Sequence, residues 1–243
     1  MGALSKQIAV VTGAGSGIGR AIAMGIAQHG GHVMLLGRDM TKLAETQRRI
    51  AINASGSSQS YVCDLGSADG VVETARTLEM DHGKIDILVH SAGIVASDPT
   101  TTPFADTFDL QYSVNVRAPY ILTRALVPSL QARKGQLVFI NSSVCLQPAK
   151  VSFAAYTASK MALKAVADSF RAEFNTAGIR VLTVYPGSTA SPMQASLHQA
   201  EGKAYYPDRL LQPEDVAQLV LAALLTARTA EVMDIVVRPM QKI

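Results

Sequence analysis

The stretch Gln7-Ile8-Ala9-Val10-Val11-Thr12-Gly13-Ala14-Gly15-Ser16-Gly17-Ile18-Gly19 decides the fold. Its first half is a short apolar run, the pattern of a strand buried on both faces. Beyond the glycines, Ile18, Ile22 and Ile26 recur every fourth residue, as on one face of a helix running over 18–29. A strand that enters a helix through a glycine-rich turn presents free N–H groups and the positive end of the helix dipole. Glycines there permit a tight turn and a close backbone approach to a pyrophosphate. An ordinary connection that happens to contain glycines is the plainer alternative. The turn's place, ending the first strand and opening the first helix, favours a dinucleotide.

Outward from that turn the same unit repeats. Apolar runs at 32–36, 58–63, 85–90, 136–141, 180–185 and 232–237 read as strands. Helical periods fill 42–54, 68–82, 153–176 and 214–227 between them. Residues 104–131 hold one or two helices, with Pro119 marking a kink or a helix start. Strands alternating with helices predict an α/β fold: one doubly wound Rossmann domain over 1–243, its seven-stranded parallel sheet flanked by helices. Residues 188–211 alone break the alternation. They follow the sixth strand, where open α/β sheets bind ligands, and are expected to form a substrate lid.

Composition bounds the function. The chain has 243 residues, 48% hydrophobic and 17% charged, enough for one sizeable core and too apolar for wholesale disorder. A net charge of +3 without a basic run gives no nucleic-acid tail. No apolar stretch is long enough to span a bilayer, and the N-terminus lacks the order of a signal peptide. Two cysteines, Cys63 and Cys145, make neither a disulfide framework nor a metal site, so no metal is expected. A cytoplasmic protein without membrane or nucleic-acid partners is the expectation.

The end of the second strand bears on which dinucleotide binds. An acid there would hold ribose hydroxyls; this chain has Gly37 followed by Arg38. A guanidinium can bind a 2′-phosphate through two parallel hydrogen bonds, so NADP is favoured. Asp39, one residue late, leaves NAD as the less favoured alternative.

The clearest chemical signal is Tyr156-Thr157-Ala158-Ser159-Lys160. Residues four apart on a helix lie roughly 5–6 Å from each other. An ammonium at that distance stabilises a phenolate by about 3 kcal/mol at an effective dielectric near 20, or roughly two pKa units. Tyr156 is therefore expected to titrate nearer neutrality and to exchange a proton with an alcohol oxygen. Seven tyrosines and nine lysines would produce about 0.3 such pairs by accident, so context matters. Ser142 and Ser143 follow the fifth strand directly, and a hydroxyl there could stabilise charge on a substrate oxygen.

These motifs, in this order, resemble the short, single-domain branch of the short-chain dehydrogenase/reductase family. The glycine pattern (Gly13, Gly17, Gly19), Asp64-Leu65, Asn115, Ser143, Tyr156, Lys160 and Pro186-Gly187 all match. The resemblance implies hydride transfer between NADP(H) and a carbonyl or secondary alcohol, with Asn115, Ser143, Tyr156 and Lys160 catalytic. It has Asn115 holding a water in a proton relay through Lys160. Lys160 would also grip the nicotinamide ribose. It implies cofactor contacts from Gly13, Ser16, Gly17, Ile18, Gly19, Arg38, Asp64, Leu65, Ala92, Gly93, Pro186 and Gly187, with Thr189 and Ser191 as alternatives for the carboxamide. A homotetramer or homodimer is implied as well.

Three departures stand out. His90-Ser91-Ala92-Gly93 replaces an expected Asn-Asn-Ala-Gly, and His90 reads as a core residue. Ser191 stands near an expected threonine. Arg238-Pro239 replaces the usual ending and resembles relatives acting on hydroxy acids such as serine. A cofactor-binding regulator without turnover is the alternative of another class. A sugar epimerase is disfavoured, because only 56 residues follow Gly187.

Overall fold

A computed structural model describes residues 2–96, 105–147 and 151–241. Seven parallel strands form one sheet: β1 (Ile8–Thr12), β2 (His32–Gly37), β3 (Ser57–Val62), β4 (Ile87–His90), β5 (Gln136–Ile140), β6 (Arg180–Pro186) and β7 (Asp234–Val237). Their order is β3-β2-β1-β4-β5-β6-β7. The fold is therefore a doubly wound Rossmann sheet, whose order reverses between β1 and β4 and opens a crevice at the strands' carboxyl ends.

Period-two alternation within the strands builds two cores. Ala9, Val11, Val33, Leu35, Ile87 and Val89 face one side. There they meet Ile22 and Ile26 of α1 (Gly17–Gln28), Leu43 and Ile50 of α2 (Met40–Asn53), and Val216 and Val220 of α8 (Pro213–Leu225). Val10, Met34, Leu36 and Leu88 face the other. Their partners come from α3 (Ala68–His82), α5 (Ala118–Arg133) and α6 (Ala154–Phe174). Central strands covered on both faces read as continuous apolar runs, which is why the sequence pattern is strong there.

The segment before β5 is more broken than its periodicity suggests. α4 (Ala105–Tyr112) passes through a π-helical turn, Ser113–Arg117, into α5. Pro119 lies at the start of α5, just past the π-helical turn. Phe104, expected to open this region, lies outside the described residues. The 188–211 segment contains α7 (Pro192–Ala200) and a short 3₁₀ turn, Pro207–Arg209. Its two ends pair: Ala190 N donates to Leu211 O at 2.8 Å and Leu211 N to Ser188 O at 3.1 Å. Among the described residues no helix is long and apolar enough to cross a membrane, and no His/Cys/Asp/Glu group could hold a metal ion.

Candidate active site

Two clefts lie at the carboxyl ends of the strands. The first, about 310 Å³, runs along the glycine turn and the end of β2. Gly13, Ser16, Gly17, Ile18, Gly19, Arg38, Asp64, Leu65, Ala92 and Gly93 all line it. Gly13 has φ +68°, and a Cβ on it would stand 2.8 Å from Ala92 Cα. A Cβ on Gly19 would stand 2.5 Å from Gly13 O. Both positions need glycine: the first for its backbone angle, the second for helix–turn packing. The carbonyls of the turn are held from behind. Thr46 Oγ1 donates to Ala14 O at 2.9 Å, and the Arg20 guanidinium grips Gly15 O and, at 3.0 Å, Thr46 Oγ1.

Asp39 does not face this cleft as a free acid. Its side chain caps α2, accepting from Lys42 N at 3.2 Å, and pairs with Lys42 Nζ at 3.5 Å. That backbone hydrogen bond is the main reason its carboxyl lies below the usual range. Lys42, which the sequence reading passed over, lines the cleft beside Arg38.

The second cleft, about 250 Å³, shares Ile18, Ser91, Gly93, Ile94, Ser191 and Met193 with the first, so the two form one trough. Ser143, Tyr156, Lys160, Pro186, Gly187, Thr189 and Ser191 line it, as does Ser142. Lys160 is 4% exposed; its Nζ donates to Ile140 O at 3.2 Å and lies 6.0 Å from the Tyr156 ring centroid. Burial lowers the ammonium to about 8. Burial also raises the Tyr156 phenol, while a side-chain hydrogen bond with Ser142 pulls it down. The expected lowering of Tyr156 by Lys160 is thus corrected. The ammonium is directed at the Ile140 carbonyl, and desolvation of the phenol outweighs the hydrogen bond from Ser142.

Asn115 lines neither cleft. It is fully buried behind them, where the π-helical turn places it. Its Nδ2 donates to Ile94 O at 2.9 Å and to Ser159 Oγ at 3.0 Å, and its Oδ1 accepts from Ile94 N at 2.9 Å. Both amide hydrogens are committed to protein. The side chain therefore braces the segment after β4 against the helix that carries Tyr156 and Lys160. Of the two carboxamide candidates, Thr189 turns its hydroxyl to Gly187 O at 3.0 Å, and Ser191 caps α7 by accepting from Gln194 N at 3.2 Å.

The chain matches the short chain dehydrogenase family over residues 7–202. An uncharacterized oxidoreductase of Staphylococcus saprophyticus is 31% identical over 237 residues, covering 97% of this chain and 98% of that protein. A metagenomic short-chain oxidoreductase solved with NADP is 34% identical, with TM-score 0.84, and covers 99% of this chain and 100% of its own. A Shigella flexneri chain described as a short-chain dehydrogenase, complexed with NADP, is 30% identical, with TM-score 0.86 and coverage of 96% and 97%.

The chain belongs to the short-chain dehydrogenase family. Within this short-chain dehydrogenase the departure at 90–91 has a structural account. His90 is a core residue, 2% exposed, stacked on Phe139 at 5.0 Å between centroids, with Nε2 2.7 Å from Thr123 Oγ1. Burial lowers its imidazole to about 3. Thr12 Oγ1 accepts from both Ser91 N and Ala92 N at 3.1 Å, tying β1 to the segment after β4. Ser91 Oγ is buried without a hydrogen-bond partner at the junction of the two clefts. The positive-φ glycine cradle, the orphaned Ser91 hydroxyl and two adjoining cations together suit a phosphate-bearing dinucleotide. Tyr205 and Tyr206 do not line the second cleft: Tyr205 OH accepts from Ser191 N at 3.2 Å, and Tyr206 stacks under Arg209.

Proposed function

We propose that the protein is an NADP-dependent carbonyl reductase or alcohol dehydrogenase in which Tyr156 passes the proton. The observation that carries this reading is the meeting of the two clefts above Tyr156 and Lys160. A dinucleotide seated along the glycine turn runs directly into a pocket floored by a phenol and an ammonium. NADPH supplies the hydride when bound. As the carbonyl carbon becomes C–H, Tyr156 gives its phenolic proton to the oxygen, and the C=O π bond becomes C–H and O–H. A phenol raised by burial holds its proton at neutral pH, which suits the reducing direction. Ser143 stands to donate to the same oxygen, Ser142 hydrogen-bonds Tyr156 itself, and the Lys160 charge steadies the phenolate left behind.

The preference for NADP rests on Arg38 and Lys42 together, and on Asp39 being engaged as a helix cap. NADP also occupies the metagenomic and Shigella relatives. Phe108, Tyr120 and Met161 are exposed apolar side chains on α4, α5 and α6, suited to burial in a homodimer or homotetramer. Two free thiols suit a reducing, cytoplasmic setting.

The test is Tyr156→Phe assayed by NADPH oxidation against a panel of ketones, with nicotinamide fluorescence reporting cofactor binding. Turnover should fall by on the order of a hundredfold or more while NADPH affinity stays within about twofold. Full activity in the variant overturns the role of Tyr156; no NADPH binding by the parent protein overturns the reading as a whole.

A further inference from the structure

We propose that the substrate is an uncharged ketone or aldehyde bearing a hydroxyl, and that Gln194 is the residue that selects it. This rests on the reductase reading above. Among the described residues lining the substrate cleft, Lys160 is the only charged one. Among the described residues no arginine, histidine or second lysine lines it to receive a carboxylate or a phosphate. Lys160 itself is held by Ile140 O beneath the reacting position and is poorly placed to serve a distal anion. Burying an unpaired carboxylate is costly enough to exclude such a substrate from a pocket of this kind.

The cleft is not simply apolar, however. Met193, Gln194 and Leu197 line it from α7. The backbone of Gln194 is fixed by the Ser191 cap at 3.2 Å. Its side-chain amide is half-buried and has no hydrogen bond within the described protein. A half-buried amide on an ordered helical turn offers one acceptor and two donors to whatever fills the cleft. A hydroxyl can use either kind of group, whereas an alkyl chain would bury the amide unpaired. A site built to hydrogen-bond one polar group discriminates more sharply than an apolar wall, because the wrong substrate leaves that group unsatisfied. Met193 and Leu197, on either side of the amide, shield the substrate's carbon chain.

Three probes of similar size separate the possibilities: 4-hydroxybutan-2-one, butan-2-one and 2-oxobutanoate, each assayed with NADPH on the intact protein. The hydroxy ketone should have the highest kcat/KM, by roughly tenfold over butan-2-one. Gln194→Leu should remove that advantage, bringing kcat/KM for the hydroxy ketone down to that for butan-2-one, while the fluorescence-measured NADPH affinity stays within about twofold. Gln194→Arg should make 2-oxobutanoate the best of the three by supplying the missing cation. Calorimetric binding of butane-1,3-diol to the protein–NADP complex should weaken in Gln194→Leu in step with the kinetic loss. A parent protein that prefers 2-oxobutanoate, or a Gln194→Leu variant that slows all three probes alike, overturns the inference while leaving the reductase reading intact. Bound NADPH with no turnover of any probe or of the wider ketone panel overturns both.

Discussion

His90 should make this protein acid-labile well above the pH at which most carboxylates matter. Its imidazole is buried, stacked on Phe139, and lowered to about 3 by desolvation. In the unfolded chain it titrates near 6.5. The folded value is the lower one, so the stabilising contribution is present above about 6.5 and is lost as the pH falls toward 3. Between pH 7 and 5 the unfolded chain takes up a proton that the folded protein refuses. With those two values the linkage relation gives a loss of about 2 kcal/mol over that interval, approaching roughly 5 kcal/mol at the acid limit. The perturbation is His90→Gln, which can keep a hydrogen bond to Thr123 but cannot ionise. It should lose stability at pH 7 through the missing ring stacking, about 1 kcal/mol. The assay is urea unfolding of both proteins at pH 7 and pH 5, at one protein concentration. The pH-dependent loss should be about 2 kcal/mol smaller in the variant, since every other titrating group is common to both. Equal losses within about 0.5 kcal/mol would refute the reasoning, and would mean that the buried imidazole takes its proton in place.

Other outcomes follow from the site. Arg38→Ala should weaken NADPH by on the order of tenfold to a hundredfold and leave NADH nearly untouched, as read by side-by-side fluorescence titration; equal weakening of both would show that Arg38 does not meet the 2′-phosphate. Ser91→Ala should not lower stability, because it deletes a buried hydroxyl with no partner; a loss above about 1 kcal/mol in urea unfolding would reveal a partner for it. Burial holds the Lys160 ammonium at about 8, so its charge is present below that pH and disappears above it. The kcat/KM for reduction should therefore fall with an apparent pKa near 8, and Lys160→Met should flatten that limb at a low plateau.

The fold was legible because its central strands are buried on both faces. Runs such as Ala9–Val11 and Leu35–Leu36 leave no polar residue to blur the period, and the glycine turn fixes which strand comes first. The trough was legible for a related reason: open sheets place their ligand residues just past strand ends, so Arg38, Asp64, Gly93, Ser143 and Gly187 could be found by counting from strands. What escaped depends on direction rather than position. Sequence places Lys160 one turn from Tyr156, yet the ammonium's choice of Ile140 O and the desolvation of the phenol are set by packing. Lys42 escaped because Arg38 directly follows a strand while Lys42 belongs to a helix, so no single period links them. The π-helical turn that carries Asn115 inward adds residues to a helix without a compositional mark. Gln194 sits on a helix too short for its face to be read.

The paired ends of the 188–211 segment have a consequence for how this enzyme could change. Because Ala190 and Leu211 already hold the neck closed, the chain between them is a loop whose closure is supplied by the scaffold. Doubling the length of such a loop costs only about 0.6 kcal/mol of closure entropy. Segments of other lengths and compositions, grafted between Ala190 and Leu211, should therefore leave the sheet and the Tyr156–Lys160 helix undisturbed. Substrate range can drift there at little cost to folding, while the Tyr156–Lys160 helix stays where the sheet holds it.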